Sequence, residues 1–67
     1  MEVFVNDTKV EIYRGMKVKH ALIAYDQALY EAALEGEAQV FDENGFEIGL
    51  EGSLTERSRI FIRRKGE

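Results

Sequence analysis

The sequence predicts one small α+β domain, with five strands and a helical segment in the order ββ, α, ββ, turn, β. Three observations lead there. Residues 2–6 and 9–13 alternate apolar and polar with period two, residues 18–33 switch to a helical spacing, and alternation returns after residue 38 around an Asn-Gly turn. At 67 residues the chain holds a single domain, with 1–64 as the folded unit and 65–67 as a short tail.

Each element has its own local cause. Glu2-Val3-Phe4-Val5-Asn6 is rich in strand formers, Asp7-Thr8 supplies turn chemistry, and Lys9-Val10-Glu11-Ile12-Tyr13 alternates again, so the first two strands form a hairpin. Gly15 breaks that pattern. Val18, Leu22, Tyr25, Leu29 and Ala33 then follow at spacings of four, three, four and four and share one helical face, which packs on the hairpin. Asp26 interrupts the stretch and is a good N-cap for Gln27–Leu34, so one bent helix and two short helices both fit; Gly36 ends either. Ala38–Asp42 and Phe46–Leu50 flank Glu43-Asn44-Gly45, where Asn-Gly tolerates the positive φ of a tight hairpin turn. Residues 50–54 turn the chain, with Leu54 as an anchor, and Arg59-Ile60-Phe61-Ile62-Arg63 alternates as the last strand. A four-stranded α+β arrangement follows if that last turn is read differently.

Composition removes much chemistry. With no Cys there is no disulfide framework, thiolate metal site or iron–sulfur ligation, and His20 as the sole histidine excludes a three-His zinc site. No metal and no cofactor are expected. The longest aliphatic run is four residues, Ala21 to Ala24, and no basic-then-apolar leader opens the chain, so it reads as soluble, cytoplasmic and free of the membrane. The formal charge of −4 argues against a general nucleic-acid binder. The charges are nonetheless segregated: all nine Lys and Arg lie in 9–19 and 57–65, while 21–56 holds nine acids and no base.

Several small constellations carry little. Asp42, Glu43, Asn44 and Glu47 offer oxygen ligands around a Gly but lack the ordered spacing and closing bidentate Glu of a calcium loop. Lys17, Lys19 and His20 open the helical segment, where cations oppose the macrodipole by about 0.3–1 kcal/mol each. Together with free amides they form a candidate site for phosphate or a partner's carboxylate. His20 has no nucleophile or orienting acid nearby in sequence, Ser53 and Ser58 sit in no catalytic motif, and Glu31 and Glu35 lie on a wet helix face. No catalytic residue is assigned, and the chain is not read as an enzyme.

The order of elements resembles the ubiquitin-like β-grasp family. Met1-Glu2-Val3-Phe4-Val5 is similar to the opening strand of ubiquitin, and Arg59-Ile60-Phe61-Ile62 to the closing strand of the group. Overall length and the Asn6-Asp7 turn resemble the small sulfur carriers of thiamine and molybdopterin synthesis. The resemblance implies a mixed five-stranded sheet packed on one helix or two helical segments, with the first and last strands parallel neighbours. Sulfur carriers end in Gly-Gly, whose carboxylate is adenylated and converted to a thiocarboxylate. Here the chain ends Arg64-Lys65-Gly66-Glu67, so Gly66 matches one glycine, Lys65 stands at the other, and Glu67 follows. Carrier or modifier activity at Gly66 is therefore the alternative function, and a regulatory β-grasp domain of a larger protein, like those attached to synthetases and GTPases, is another.

The same resemblance orients the sheet. In ubiquitin-like proteins the odd residues of the first strand face the helix, which turns Val3, Val5, Val10, Ile12, Val40, Ile48, Ile60 and Ile62 inward. Strict alternation then puts Phe4, Tyr13, Phe41 and Phe61 outward, bordered by Arg59 and Arg63. Ubiquitin-like domains bind partners through this face, and aromatic rings with arginines are the composition of a protein interface. The expectation is a non-enzymatic protein-binding module whose partner is another protein or a second copy of itself. The inverted register would instead bury the phenylalanines and leave Val and Ile outside. An aromatic face with Arg also suits nucleobase stacking, but the acidic balance and the absence of Lys on that face argue against it, and no nucleic acid is expected.

Overall fold

The structure, a computed structural model, describes residues 1–66. Six elements follow in chain order: β1 (Glu2–Val5), β2 (Thr8–Glu11), α1 (Val18–Tyr25), α2 (Gln27–Leu34), β3 (Ala38–Asp42) and β4 (Arg59–Arg64). The strands form one mixed sheet in the order β2-β1-β4-β3, with β1 and β4 parallel and the outer pairs antiparallel. α1 lies over β1 and β2, and α2 over β3 and β4.

The first hairpin closes through two residues, Asn6 and Asp7, both left-handed at φ 51° and 66°. This backbone twist matches that of the strands it joins, and Asn and Asp tolerate it better than other side chains. The turn takes β1 away from β4 at the point where Ile62 still presents its peptide groups toward β1. Asn6 replaces the missing strand with its side chain. Its Oδ1 accepts from the Ile62 N–H at 2.9 Å and its Nδ2 donates to the Ile62 carbonyl at 3.2 Å, continuing a ladder in which the Phe4 N–H bonds Ser58 O and the Asn6 N–H bonds Ile60 O.

The helical segment is two helices. Asp26 leaves the helical backbone at φ −165°, ψ 105°, and its Oδ1 accepts from the Ala28 N–H at 3.0 Å, capping α2. At the far end Gly36 adopts φ 79°, with the Gly36 N–H on Ala33 O and the Glu37 N–H on Ala32 O, the paired bonds of a Schellman stop. Because the axis changes at Asp26, one continuous helical phase does not describe the buried face. Val18 and Leu22 are buried as the spacing predicts, Tyr25, Leu29 and Ala33 are half-buried, and Ala21 and Ala32 fill the core beside them.

The sheet has four strands, which corrects the five-strand expectation. Phe46–Leu50 touches the edge of β3 through the Asp42 N–H to Phe46 O and the Ile48 N–H to Val40 O, with a single bridge between Phe41 and Glu47, and then leaves. The turn between them forms as expected: Asp42 Oδ1 accepts from the N–H groups of Asn44 and Phe46 at 2.9 and 3.0 Å, and Gly45 carries φ 86°. The segment departs because it has a second attachment. Leu50 O accepts from the Lys19 N–H and Gly52 O from the Val18 N–H, so the chain crosses from the sheet edge to the first turn of α1. Leu54, the predicted anchor, packs half-buried against the core.

The core lies between helices and sheet: Val3, Val5, Val10, Ala38, Val40, Ile60 and Ile62 from the strands, with Ile12 just past β2, meet Val18, Ala21, Leu22 and Ala32 from the helices. If the Asn6 carboxamide completes the β4 ladder, Asn6→Gly, which keeps the positive φ but orphans both Ile62 groups, costs about 2–4 kcal/mol. Asn6→Ala adds the left-handed penalty of about 1 kcal/mol. Urea unfolding of the three proteins checks the order; an Asn6→Gly midpoint equal to wild type contradicts it.

Candidate interaction surface

Side chains alternate across a pleated strand, so burying Ile60 and Ile62 turns Arg59, Phe61 and Arg63 to the opposite face of β4. The same parity exposes one side of Phe4 on β1 and Phe41 on β3. Register then sets these residues beside one another: Phe41 pairs directly with Phe61, Phe4 with Arg59, and Gln39 with Arg63. All three phenylalanines are half-buried and both arginines are exposed.

Guanidinium stacking ties the strip together. The Arg59 guanidinium carbon sits 5.2 Å from the centre of the Phe4 ring, and that of Arg63 5.3 Å from the Phe41 ring. Each contact places a planar cation over a π-face and covers part of the Phe4 or Phe41 ring. Arg59 also reaches Asp7 Oδ1 at 3.4 Å. An open depression of about 540 Å³ runs beside the strip, lined by the rings of Phe41 and Phe61 with Asn6, Arg63, Asp42 and Glu43 at its rim.

The structure therefore brings together Phe4, Phe41, Phe61, Arg59 and Arg63. Tyr13 does not join them. It lies two residues beyond the end of β2, where pairing with β1 has stopped, is 78% exposed, and lines a separate depression with Ile12, Met16 and Ile23. A second correction concerns Lys9. As an odd residue of β2 it pairs with Phe4 and stands on the outer face, so that face does carry a lysine, along with Glu2 and Glu11.

The proposed anion site at Lys17, Lys19 and His20 is already occupied by the protein itself. Two first-turn amides are bonded to the carbonyls of Leu50 and Gly52, and the Lys17 N–H donates to His20 Nδ1 at 2.8 Å. Lys19 Nζ meets Glu51 Oε2 at 2.7 Å, and Lys17 Nζ reaches Glu51 O at 3.5 Å. The loop thus supplies the carboxylate and the acceptors that an external anion would provide. The hydrogen bond between Lys19 and Glu51 raises the lysine above its ordinary value and lowers the carboxylate below its own.

Asp42, Ser58 and Glu31 serve local structure. Asp42 spends its carboxylate on the turn amides, Ser58 Oγ accepts from the Thr55 N–H at 3.0 Å, and Glu31 accepts from Gln27 Nε2 at 3.4 Å. Gly66 is exposed with φ 85°, and Glu67 lies outside the described residues. Among the described residues, no helix is long and apolar enough to cross a membrane. Sequence reasoning missed the Asn6 bridge, whose only signal is an Asn in a turn, and the Arg–Phe stacks, which depend on register between distant strands.

No protein-family model, curated protein or solved structure matches the chain.

The ion pair has a pH signature. The contribution of Glu51 is present above the ordinary carboxylate range and fades as pH falls through its depressed value; that of Lys19 is present below the ordinary lysine range and fades as pH rises through its raised value. In a carboxyl-detected NMR titration, Lys19→Met should move the Glu51 midpoint upward. An unchanged midpoint shows that the pair does not form in solution.

Proposed function

We propose that this protein is a non-enzymatic binding module of the ubiquitin-like β-grasp type that engages a protein partner through the outer face of its sheet. The strand order β2-β1-β4-β3 with a parallel central pair supports the architectural part. The observation that carries the functional part is the strip of three half-buried phenylalanines flanked by Arg59 and Arg63, each stacked on a ring and each still exposed. A surface of this kind binds apolar side chains over the rings and accepts carboxylates at the two guanidinium groups, so the partner presents an apolar residue beside acidic ones.

The sulfur-carrier alternative draws no support from the described end of the chain. β4 continues to Arg64, and the Lys65 N–H is bonded to Glu37 O at 2.9 Å, which holds this part of the chain beside the start of β3.

The test compares partner capture by wild type, Phe61→Ser and Arg59→Glu. Phe61→Ser should keep the thermal midpoint within a few degrees and lose the partner, because the ring faces away from the core. Arg59→Glu should weaken the same binding, and the wild-type affinity should fall with added salt, as expected for an exposed charge at an interface rim. Unfolding by Phe61→Ser would place the ring in the core, and undiminished capture would place the interface elsewhere.

A further inference from the structure

The second surface of interest is an edge. One edge of the sheet, at β3, is partly covered by residues 46–48. The other, at β2, is open among the described residues. The N-terminal amine of Met1 donates to Ile12 O and the Ile12 N–H to Met1 O, which makes Met1–Ile12 a hydrogen-bonded pair. In an antiparallel ladder such pairs recur every second residue, so Val3–Val10 and Val5–Thr8 are bonded pairs as well. Lys9 and Glu11 fall between them, and their N–H and C=O groups point away from β1 into solvent.

We infer that this edge pairs with β2 of a second copy of the chain, antiparallel, in the register that sets Lys9 opposite Glu11 of the other copy. Three observations converge. In that register residues whose numbers sum to twenty face each other, so Val10 meets its own equivalent on the two-fold axis and Lys9 meets Glu11 twice. Lys9 and Glu11 are also the residues whose backbone groups are free, so charge and hydrogen-bond registers coincide rather than compete. An edge lysine ordinarily discourages strand addition; here it finds a carboxylate in Glu11 of the added copy.

The flank of the edge fits the same occupant. Tyr13, Met16, Ile23 and Ala24 line an apolar depression of about 230 Å³ between the end of β2 and α1, and Tyr13 and Ile23 are 78% and 41% exposed. Strand pairing brings this apolar flank of each copy toward the other. Two four-stranded sheets become one continuous sheet of eight, and the outer faces carrying Phe4, Phe41 and Phe61 remain free on both copies. Neither exposed side chain has a close competing partner, since Lys9 Nζ lies 3.9 Å from Glu2 and Glu11 lies 4.0 Å from the Met1 amine, which is already bonded to Ile12 O.

Sedimentation equilibrium tests the pairing with charge swaps. Wild type should form a dimer. Lys9→Glu and Glu11→Lys should each weaken it about tenfold or more, because like charges then oppose each other at both symmetric pairs. Mixing the two variants should restore dimerisation, since one copy then carries a carboxylate at both positions and the other an ammonium at both, and opposite charges meet across each pair. Thermal midpoints near wild type confirm that both variants fold. A wild-type chain that stays monomeric at the highest attainable concentration overturns the inference, as do variants that dimerise like wild type or a mixture that stays monomeric. Phe61→Ser should leave the dimer intact; a dimer lost with Phe61→Ser and kept with Lys9→Glu lies on the outer face instead.

Discussion

Everything in this molecule hangs on the position of β4. It is the last strand in sequence and an interior strand of the sheet, parallel to β1 on one side and antiparallel to β3 on the other. An interior strand must satisfy its backbone along both edges and dispose of its side chains on both faces. The first requirement is met by the β1 and β3 ladders and, where β1 turns away, by the Asn6 carboxamide on Ile62. The second divides the strand chemically: Ile60 and Ile62 enter the core, and Arg59, Phe61 and Arg63 form the spine of the outer face. Structure and proposed function are two sides of one six-residue strand.

Much of this was legible because strand parity is a local property. Once Val3 and Val5 are assigned inward, the orientation of Phe4 follows with no tertiary information, and likewise Phe61 from its isoleucine neighbours. Turn and cap chemistry was equally readable: Asp26 caps the second helix, Gly36 ends it, and Gly45 carries the positive φ of its turn. The failures share a cause, which is competition between distant segments. Phe46–Leu50 alternates like a strand, but the carbonyls of Leu50 and Gly52 are needed at the first turn of α1. The same contacts remove Lys17, Lys19 and His20 as an anion site. Composition places cations at a helix start, and only the fold shows that Glu51 is brought to meet them. Tyr13 lies beyond the last β1–β2 strand pair and lines a depression with Met16 and Ile23, so parity no longer locates it on the sheet.

The charge pattern also acquires a meaning that the linear sequence withholds. Basic segments at 9–19 and 57–65 suggest a basic side of the molecule, yet their charges go to different tasks. Lys19 closes a loop on Glu51, Arg59 and Arg63 cover aromatic rings, and Lys9 stands on an open strand edge. Two separate surfaces result. The strip along β4 joins aromatic rings to Arg59 and Arg63, and the β2 edge sets Lys9 beside Glu11; the first is proposed for a partner bearing carboxylates, the second for another copy. They lie on different parts of the sheet, so occupying one leaves the other available.

The central claim is the division of the sheet into a buried aliphatic side and an accessible aromatic side. The most direct measurement is attenuation of side-chain NMR signals by a soluble paramagnetic probe, read for the rings of Phe4, Phe41 and Phe61 against the methyls of Val3, Val5, Ile60 and Ile62. The account predicts strong attenuation of the three rings and little at the methyls. The reverse pattern, with protected rings and attenuated Val and Ile methyls, would contradict it.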